Sequence, residues 1–228
     1  MKLLDTAGGN TKIKKSMISE AVRIAGLSLY PDDIICPARN LARCANMCLI
    51  GAGRGVMRPV IEGRRNKTAF YHKDLDGFLA QLRKELHNFE KLCKRTGVKP
   101  IARLNTISDI PWERHGIPQE FPDIFFYDYT KLAHRLGRTP SNYKLIFSYS
   151  PEKGYNNQVK AALKADVPIS AVFKDKPFPE TFLGREVIDG DRDDLLNVEA
   201  GPVIVGLKYK VVPGVEEADQ NLIVRQVA

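Results

Sequence analysis

From residue 74 the chain reads as a helix. Leu75, Phe78, Leu79, Leu82, Leu86, Phe89 and Cys93 recur at three- and four-residue steps, and Gly97 stands where such a helix would end. Cys93 falls on this apolar stripe and reads as a small core residue. Downstream the pattern changes to short apolar runs of strand length at 101–105, 124–129, 144–149, 168–173, 185–189 and 202–207. "TKLAHRLG", ending at Gly137, predicts a helical turn or two between the second and third runs, and "NNQVKAALKA" predicts a short helix between the third and fourth. Strands alternating with helices predict a parallel sheet in one α/β domain. The later connections lack a clear helix, so we expect an incomplete or irregular β/α (TIM-like) barrel, with an open sheet as the alternative. The predicted organisation is an irregular Cys/Arg-rich segment over 1–73, a β/α core over 74–210 and a tail over 211–228.

Nearly every predicted strand runs from apolar to polar at its C-terminal end, where the loops of a parallel β/α fold converge on a site. This singles out Asn105, Ser108 and Asp109, then Asp128 and Thr130, Ser148 and Ser150, Lys174 and Asp175, Asp189 and Asp191, and Lys208. Some of these acids are expected to cap helices. "VIDGDRDDL" at 187–195 is poorly explained that way, because no strong helix pattern follows it. Its aspartates suit a divalent cation, or a nucleophile or general base in glycosidic exchange. Asp109, Asp128, Asp189 and Asp191 are therefore the candidate catalytic carboxylates. In "RLNTISDIPWE", Arg103 lies on an apolar strand and needs a partner, Asn105 and Ser108 are suited to holding a base or ribose, and Trp112 is expected to wall the pocket.

The composition is that of an ordinary globular protein, since 43% of residues are hydrophobic and 27% charged, which argues against disorder. No apolar run approaches a membrane span, and the first residues have no secretory h-region, so a cytoplasmic protein with reduced thiols is expected. The net charge of +8 is uneven: between Arg39 and Lys73 eight Arg/Lys face the single acid Glu62. The segment holds "GAGRG" and then Arg64, Arg65 and Lys67 beside Phe70 and Tyr71. With Arg54 and Arg58 it suits a polyanion, nucleic acid or a nucleotide phosphate, with an option for base stacking. It is not a P-loop, because no Gly-Lys-Ser/Thr follows.

Three of the four cysteines, Cys36, Cys44 and Cys48, fall in "CPARNLARCANMC". The C-x7-C-x3-C spacing lacks the paired C-x2-C knuckles of zinc ribbons and is wider than the C-x3-C-x2-C of most radical S-adenosylmethionine enzymes. Shared ligation in a basic loop is nevertheless the expectation. The metal is either an iron–sulfur cluster with one iron open to a small molecule such as S-adenosylmethionine, or zinc completed by Cys93 or His72. The histidines form no ligand motif of their own, and no GxSxG element is present.

The order of "GNTKIKKS", "CPARNLARCANMCL", "GAGRG", "RRNKTAFYHKD", "ARLNTISDIPWE", "FYDYTK", "LIFSYS", "VIDGDRDDL" and "VIVGLKYK" resembles a family of bacteriophage and prophage proteins of the mycobacteriophage gene-product-88 type. The resemblance spans about residues 8 to 210. It implies a phage- or plasmid-borne protein working in the bacterial cytoplasm, with links to DNA base modification or to radical-S-adenosylmethionine-like barrels. The expectation is an enzyme modifying or exchanging a base in nucleic acid. The alternatives are a radical-type iron–sulfur enzyme and a zinc-stabilised nucleic-acid-binding protein without activity.

Overall fold

The structure is a computed structural model that describes residues 1–6, 21–45, 47–215 and 223–224. The motif at 9–16 and most of the expected tail lie outside the described residues.

The strands are β1 (Leu4–Asp5), β2 (Val22–Leu27), β3 (Lys99–Arg103), β4 (Phe125–Thr130), β5 (Tyr143–Ser148), β6 (Ile169–Phe173), β7 (Thr181–Phe182), β8 (Arg185–Asp189), β9 (Ile204–Lys208) and β10 (Ile223–Val224). They form one sheet of order β1-β2-β3-β4-β5-β6-β9-β8-β7, with β10 on β6. From β2 to β8 every neighbour is parallel, whereas the edge strands β1 and β7 run antiparallel to theirs. Because β5 pairs with Ile169 and Ser170, and β9 takes the whole other side of β6, β10 continues the ladder at Val172 and Phe173 where β5 stops. The pairing path does not return on itself among the described residues. The molecule is a mixed α/β domain with an open sheet, and the barrel expected from the alternation is not closed. The predicted strands all lie within about two residues of observed ones. The pattern does not announce the two-residue strands β1, β7 and β10, nor β2, whose run "VRIAGL" carries no alternation and leads into a turn-rich loop.

The helices are α1 (Arg58–Lys73), α2 (Leu75–Thr96), α3 (Ile117–Glu120), α4 (Asn156–Lys164) and α5 (Asp194–Glu199). Helix α2 carries the predicted stripe. Asp74 caps it by accepting from Gly77 N at 2.9 Å, and Gly97 ends it at φ 67°. Helix α1 corrects the expectation that 1–73 is irregular. Pro59 suits a first turn, but the apolar positions are too sparse for a clear period. The helix is held by Phe70 and Tyr71, whose rings meet Phe78 of α2 at 5.5 and 5.3 Å. "TKLAHRLG" becomes a 3₁₀ turn at Ala133–Arg135.

The strand period of two separates the faces. On one face Phe78, Leu82, Leu86, Phe89 and Cys93 of α2 pack on Ala102, Phe126 and Leu145, while Val159 and Ala162 of α4 pack on Phe147 and Ile169. On the other, Ile24, Ile101, Tyr127 and Ile146 meet Leu195 and Val198 of α5. Cys93 is thus core, as expected.

Candidate active site at the C-terminal strand ends

A cavity of about 460 Å³ opens at the C-terminal ends of the parallel strands. Its walls come from strand-end residues, Arg103, Tyr129, Ser148, Val172 and Lys208 among them, and from the long loop after β2. That loop is fastened to the rim at several points. Ile35 O accepts from Asp109 N at 2.9 Å and Ala42 O accepts from Ser150 Oγ at 3.0 Å, while within the loop Asp32 Oδ1 accepts the amides of Ile34 and Ile35 at 2.9 Å.

Cys36, Cys44 and Cys48 all line this cavity. Cys36 packs against the α2 core and Cys44 against the α4 core, so the loop spans the two. The Cys36 thiol points to Ile107 O at 3.5 Å and the Cys44 thiol to Arg39 O at 3.7 Å. Burial pushes the Cys36 thiol far up, helped by Asp109 and by the neighbouring sulfurs of Cys48 and Cys44. Burial also raises Cys48, against the pull of the Ile50 amide, Arg39 and Arg64. In this arrangement no three His, Cys, Asp or Glu side chains among the described residues are gathered to hold a metal ion. The expected fourth ligands lie elsewhere. Cys93 sits in the last turns of α2, which leads into the N-terminal end of β3, and His72 bonds Asp32 at 2.7 Å.

The four candidate carboxylates divide. Asp109 and Asp191 line the cavity, while Asp128 and Asp189 do not, so the expected meeting of Asp109 with Asp189 in one pocket is not found. Asp109 is committed to Arg135 NH1 at 2.8 Å and to the Lys131 amide at 2.7 Å, and burial raises its pKa. Asp128 lies under the floor, accepting from Asn105 N at 2.7 Å and Tyr143 Oη at 2.8 Å; burial pushes it up to about 7. Asp189 binds Lys176 at 2.8 Å, and Asp191 accepts the Lys208 amide at 3.0 Å. Within "VIDGDRDDL" Asp193 does cap a helix, accepting Leu195 N at 2.7 Å to start α5, against the expectation that no helix follows.

Arg103 has the partner it needed. Asp194 lies 2.6 Å away, and the guanidinium stands 4.9 Å over the Tyr129 ring. Asn105 and Ser108 line the cavity and bond each other at 2.7 Å. Trp112 does not wall it. The indole is core, stacked on Phe78 at 6.4 Å, and its Nε1 donates to Asn105 Oδ1 at 3.1 Å, supporting the loop from below.

Arg54, Arg64, Arg65 and Lys67 stand outside the cavity lining. Arg54 and Arg65 are exposed, with Arg65 4.8 Å over the ring of Tyr30, itself a cavity residue. Lys67 is turned to Leu3 O at 2.7 Å. Of the glycines of "GAGRG", Gly55 serves the loop's own packing, since a Cβ there would meet Ile50 O at 2.7 Å, whereas Gly51 lies against Val212 and Gly53 turns the chain at φ 54°.

Two residues of the site escape the sequence pattern. Asp194 is fully buried and bonds Tyr129 Oη at 3.0 Å as well as Arg103. Lys131 directly follows β4, and its Nζ reaches Ser148 O and Tyr149 O at 3.3 and 3.2 Å. Burial lowers its pKa. Extending the strand-end rule by one residue would have found Lys131, whereas Asp194 is hidden among neighbouring aspartates.

Fold and cavity together define a mixed α/β protein with a thiol-lined site at the C-terminal edge of a parallel sheet. A sequence model of the gene product 88 family matches residues 2–226, nearly the whole chain, and the protein belongs to that family. No curated protein and no solved structure matches it. No helix among the described residues is long and apolar enough to cross a membrane.

Proposed function

We propose that this protein is an iron–sulfur enzyme of the S-adenosylmethionine-dependent radical type, acting on a nucleic-acid or nucleobase substrate at the strand-end cavity. The observation that carries the reading is that Cys36, Cys44 and Cys48 leave one loop and line one cavity at the end of the sheet where β/α sites form. The thiols of Cys36 and Cys44 are turned to the carbonyls of Ile107 and Arg39 in this structure, and the reading requires both to leave those carbonyls for a common centre when a cluster is loaded. Structural zinc is disfavoured because it requires four protein ligands, and both Cys93 and His72 are committed elsewhere. Three thiolates instead suit a cluster that keeps one iron open. Such a centre, with S-adenosylmethionine, supplies hydrogen-atom abstraction from an unactivated carbon.

The chain's own residues bind and orient the substrate. Asn105, Ser108 and Lys131 present polar groups at the cavity, and the buried Arg103–Asp194 pair fixes the Tyr129 wall. Exposed Arg65, over the ring of the cavity residue Tyr30, offers a phosphate backbone a contact beside the mouth, and exposed Arg54 adds positive charge to the same segment. A carboxylate nucleophile is the weaker reading, because each of the four aspartates is already held by a cation or by amides.

The test is anaerobic reconstitution with iron and sulfide, read by iron content and visible absorbance. The wild-type protein and Cys93→Ala are expected to take up iron, and Cys36→Ala, Cys44→Ala and Cys48→Ala to lose most of it. Uptake that survives all three loop substitutions, or is absent from the wild type, defeats the proposal.

A further inference from the structure

Lys131 is clamped by its main chain and left without a counter-charge at its tip. Its amide donates to Asp109 Oδ2 at 2.7 Å, and its carbonyl accepts from Tyr155 Oη at 2.6 Å. Both clamps are themselves held, since Asp109 is paired with Arg135 at 2.8 Å and Tyr155 is fully buried. The side chain lines the cavity and reaches the end of β5. There the ammonium donates to Ser148 O, Ser148 Oγ and Tyr149 O at 3.3, 3.4 and 3.2 Å. A charged donor ordinarily makes bonds of about 2.7–2.9 Å, so these three are loose. Neutral oxygens also leave the charge itself uncancelled.

The carboxylates of the cavity are matched to other cations. Asp109 has Arg135, Asp191 has Lys176 at 3.4 Å, and Asp194 has Arg103 at 2.6 Å. Asp109 binds the amide of Lys131 and not its ammonium. Among the described residues no carboxylate forms an ion pair with that ammonium, and burial works against its charge. The Ser148 hydroxyl accepts from Lys131, while its own proton has no acceptor among the described residues. A positioned cation and a hydroxyl with a proton to give therefore stand together in the wall of a cavity.

We propose that Lys131 and the Ser148 hydroxyl form a phosphate subsite in this cavity, which takes a single nucleotide with its phosphate against the ammonium. The inference rests on the nucleobase reading of the cavity and not on the thiols, and it names the part of the substrate that carries the charge. A phosphate oxygen would replace a loose neutral contact with a short charge-assisted bond and supply the missing counter-charge. The volume of about 460 Å³ lies within the range of roughly 300–1,000 Å³ for small-molecule sites, so one nucleotide fits and a duplex does not. Tyr129 and Tyr149 give that nucleotide aromatic walls.

The experiment is equilibrium binding to the metal-free protein of each deoxynucleoside 5′-monophosphate, its matching nucleoside and a short single-stranded DNA. Wild type is expected to bind at least one monophosphate about tenfold or more tighter than its nucleoside. Lys131→Met should erase that preference and Lys131→Arg keep part of it. Lys131→Gln, which still donates to the β5 oxygens, serves in place of Lys131→Met should the latter not fold. A loss confined to the monophosphates assigns the subsite to a free nucleotide, and a parallel loss for the DNA assigns it to a nucleotide of a strand; both support the proposal. Equal binding of monophosphate and nucleoside by wild type, no binding of any probe, or a preference that survives removal of the charge overturns it. No iron is present, so the result stands apart from the reconstitution test. A protein that takes up no iron can still carry this subsite, and failure here leaves iron uptake untouched.

Discussion

Replacing Arg103 with Met tests whether the cavity floor is held by a buried ion pair. Arg103 and Asp194 meet at 2.6 Å with side chains 10% and 0% exposed, so little solvent screens them. Arg103→Met keeps the stem's length and apolar packing but leaves the Asp194 carboxylate buried without its guanidinium. Breaking one partner of such a pair costs about 3–5 kcal/mol, most of it the penalty of the abandoned charge. For a chain of this size each kcal/mol moves Tm by about 2–4 °C, so a fall of roughly 10 °C is expected at neutral pH. The double variant Arg103→Met/Asp194→Leu removes both charges and should recover at least half of that loss. Lowering the pH should also narrow the gap between Arg103→Met and wild type, because protonation neutralises Asp194 where no cation holds it charged. Urea and thermal unfolding of the three proteins at several pH values make the measurement. A double variant no more stable than the single one would refute the buried-charge reasoning and make the role of Arg103 steric.

Asp128 gives a pH prediction. Its folded carboxyl keeps its proton up to about 7 while the unfolded one releases it near 3.8, so the folded state binds more protons between those values. Its contribution to stability therefore falls as pH rises from about 4 to about 7, by about 1.4 kcal/mol per unit, and is level above that. The stability of wild type minus that of Asp128→Asn should fall across this window, and parallel profiles would contradict it. Gly55→Ala, whose Cβ would stand 2.7 Å from Ile50 O, should cost about 1–3 kcal/mol and loosen the cysteine loop, read as a lower Tm and faster alkylation of Cys48. Arg54→Ala and Arg65→Ala should weaken nucleic-acid binding and reduce its dependence on log salt by roughly one unit for each phosphate no longer neutralised, and unchanged slopes would remove nucleic acid from the mouth.

The elements that repeat a period were legible in the chain. Helix α2 has a continuous apolar stripe, a cap and a stop residue, and most strands from β3 to β9 have compact apolar runs. Helix α1 was not legible, because its stability comes from Phe70 and Tyr71 packing on Phe78 and not from a periodic face. For the site, strand-end polarity located Asn105, Ser108, Asp109 and Asp191 on the cavity. It could not rank the aspartates, since whether a carboxylate faces a ligand or an arginine depends on partners distant in sequence. Arg135, which claims Asp109, is one such partner. Trp112 illustrates the same limit: its distance from Asn105 in sequence fits a pocket wall and a buried support equally well, and only the stacking on Phe78 decides.

The short ladder of β10 on β6 has a consequence for synthesis. Ile223 and Val224 pair with Val172 and Phe173, and Val172 belongs to the cavity wall. Among the described strands β10 is made last, after every other strand of the sheet. Until it seats, the β6 backbone beyond the end of β5 lacks its ladder partner on that side. Such an unpaired stretch of strand is where one chain can take up another. The newly made protein should therefore pass through a brief, concentration-sensitive stage in which the strand that carries Val172 of the cavity wall is open to pairing with another chain, and the stage should end when the late residues seat.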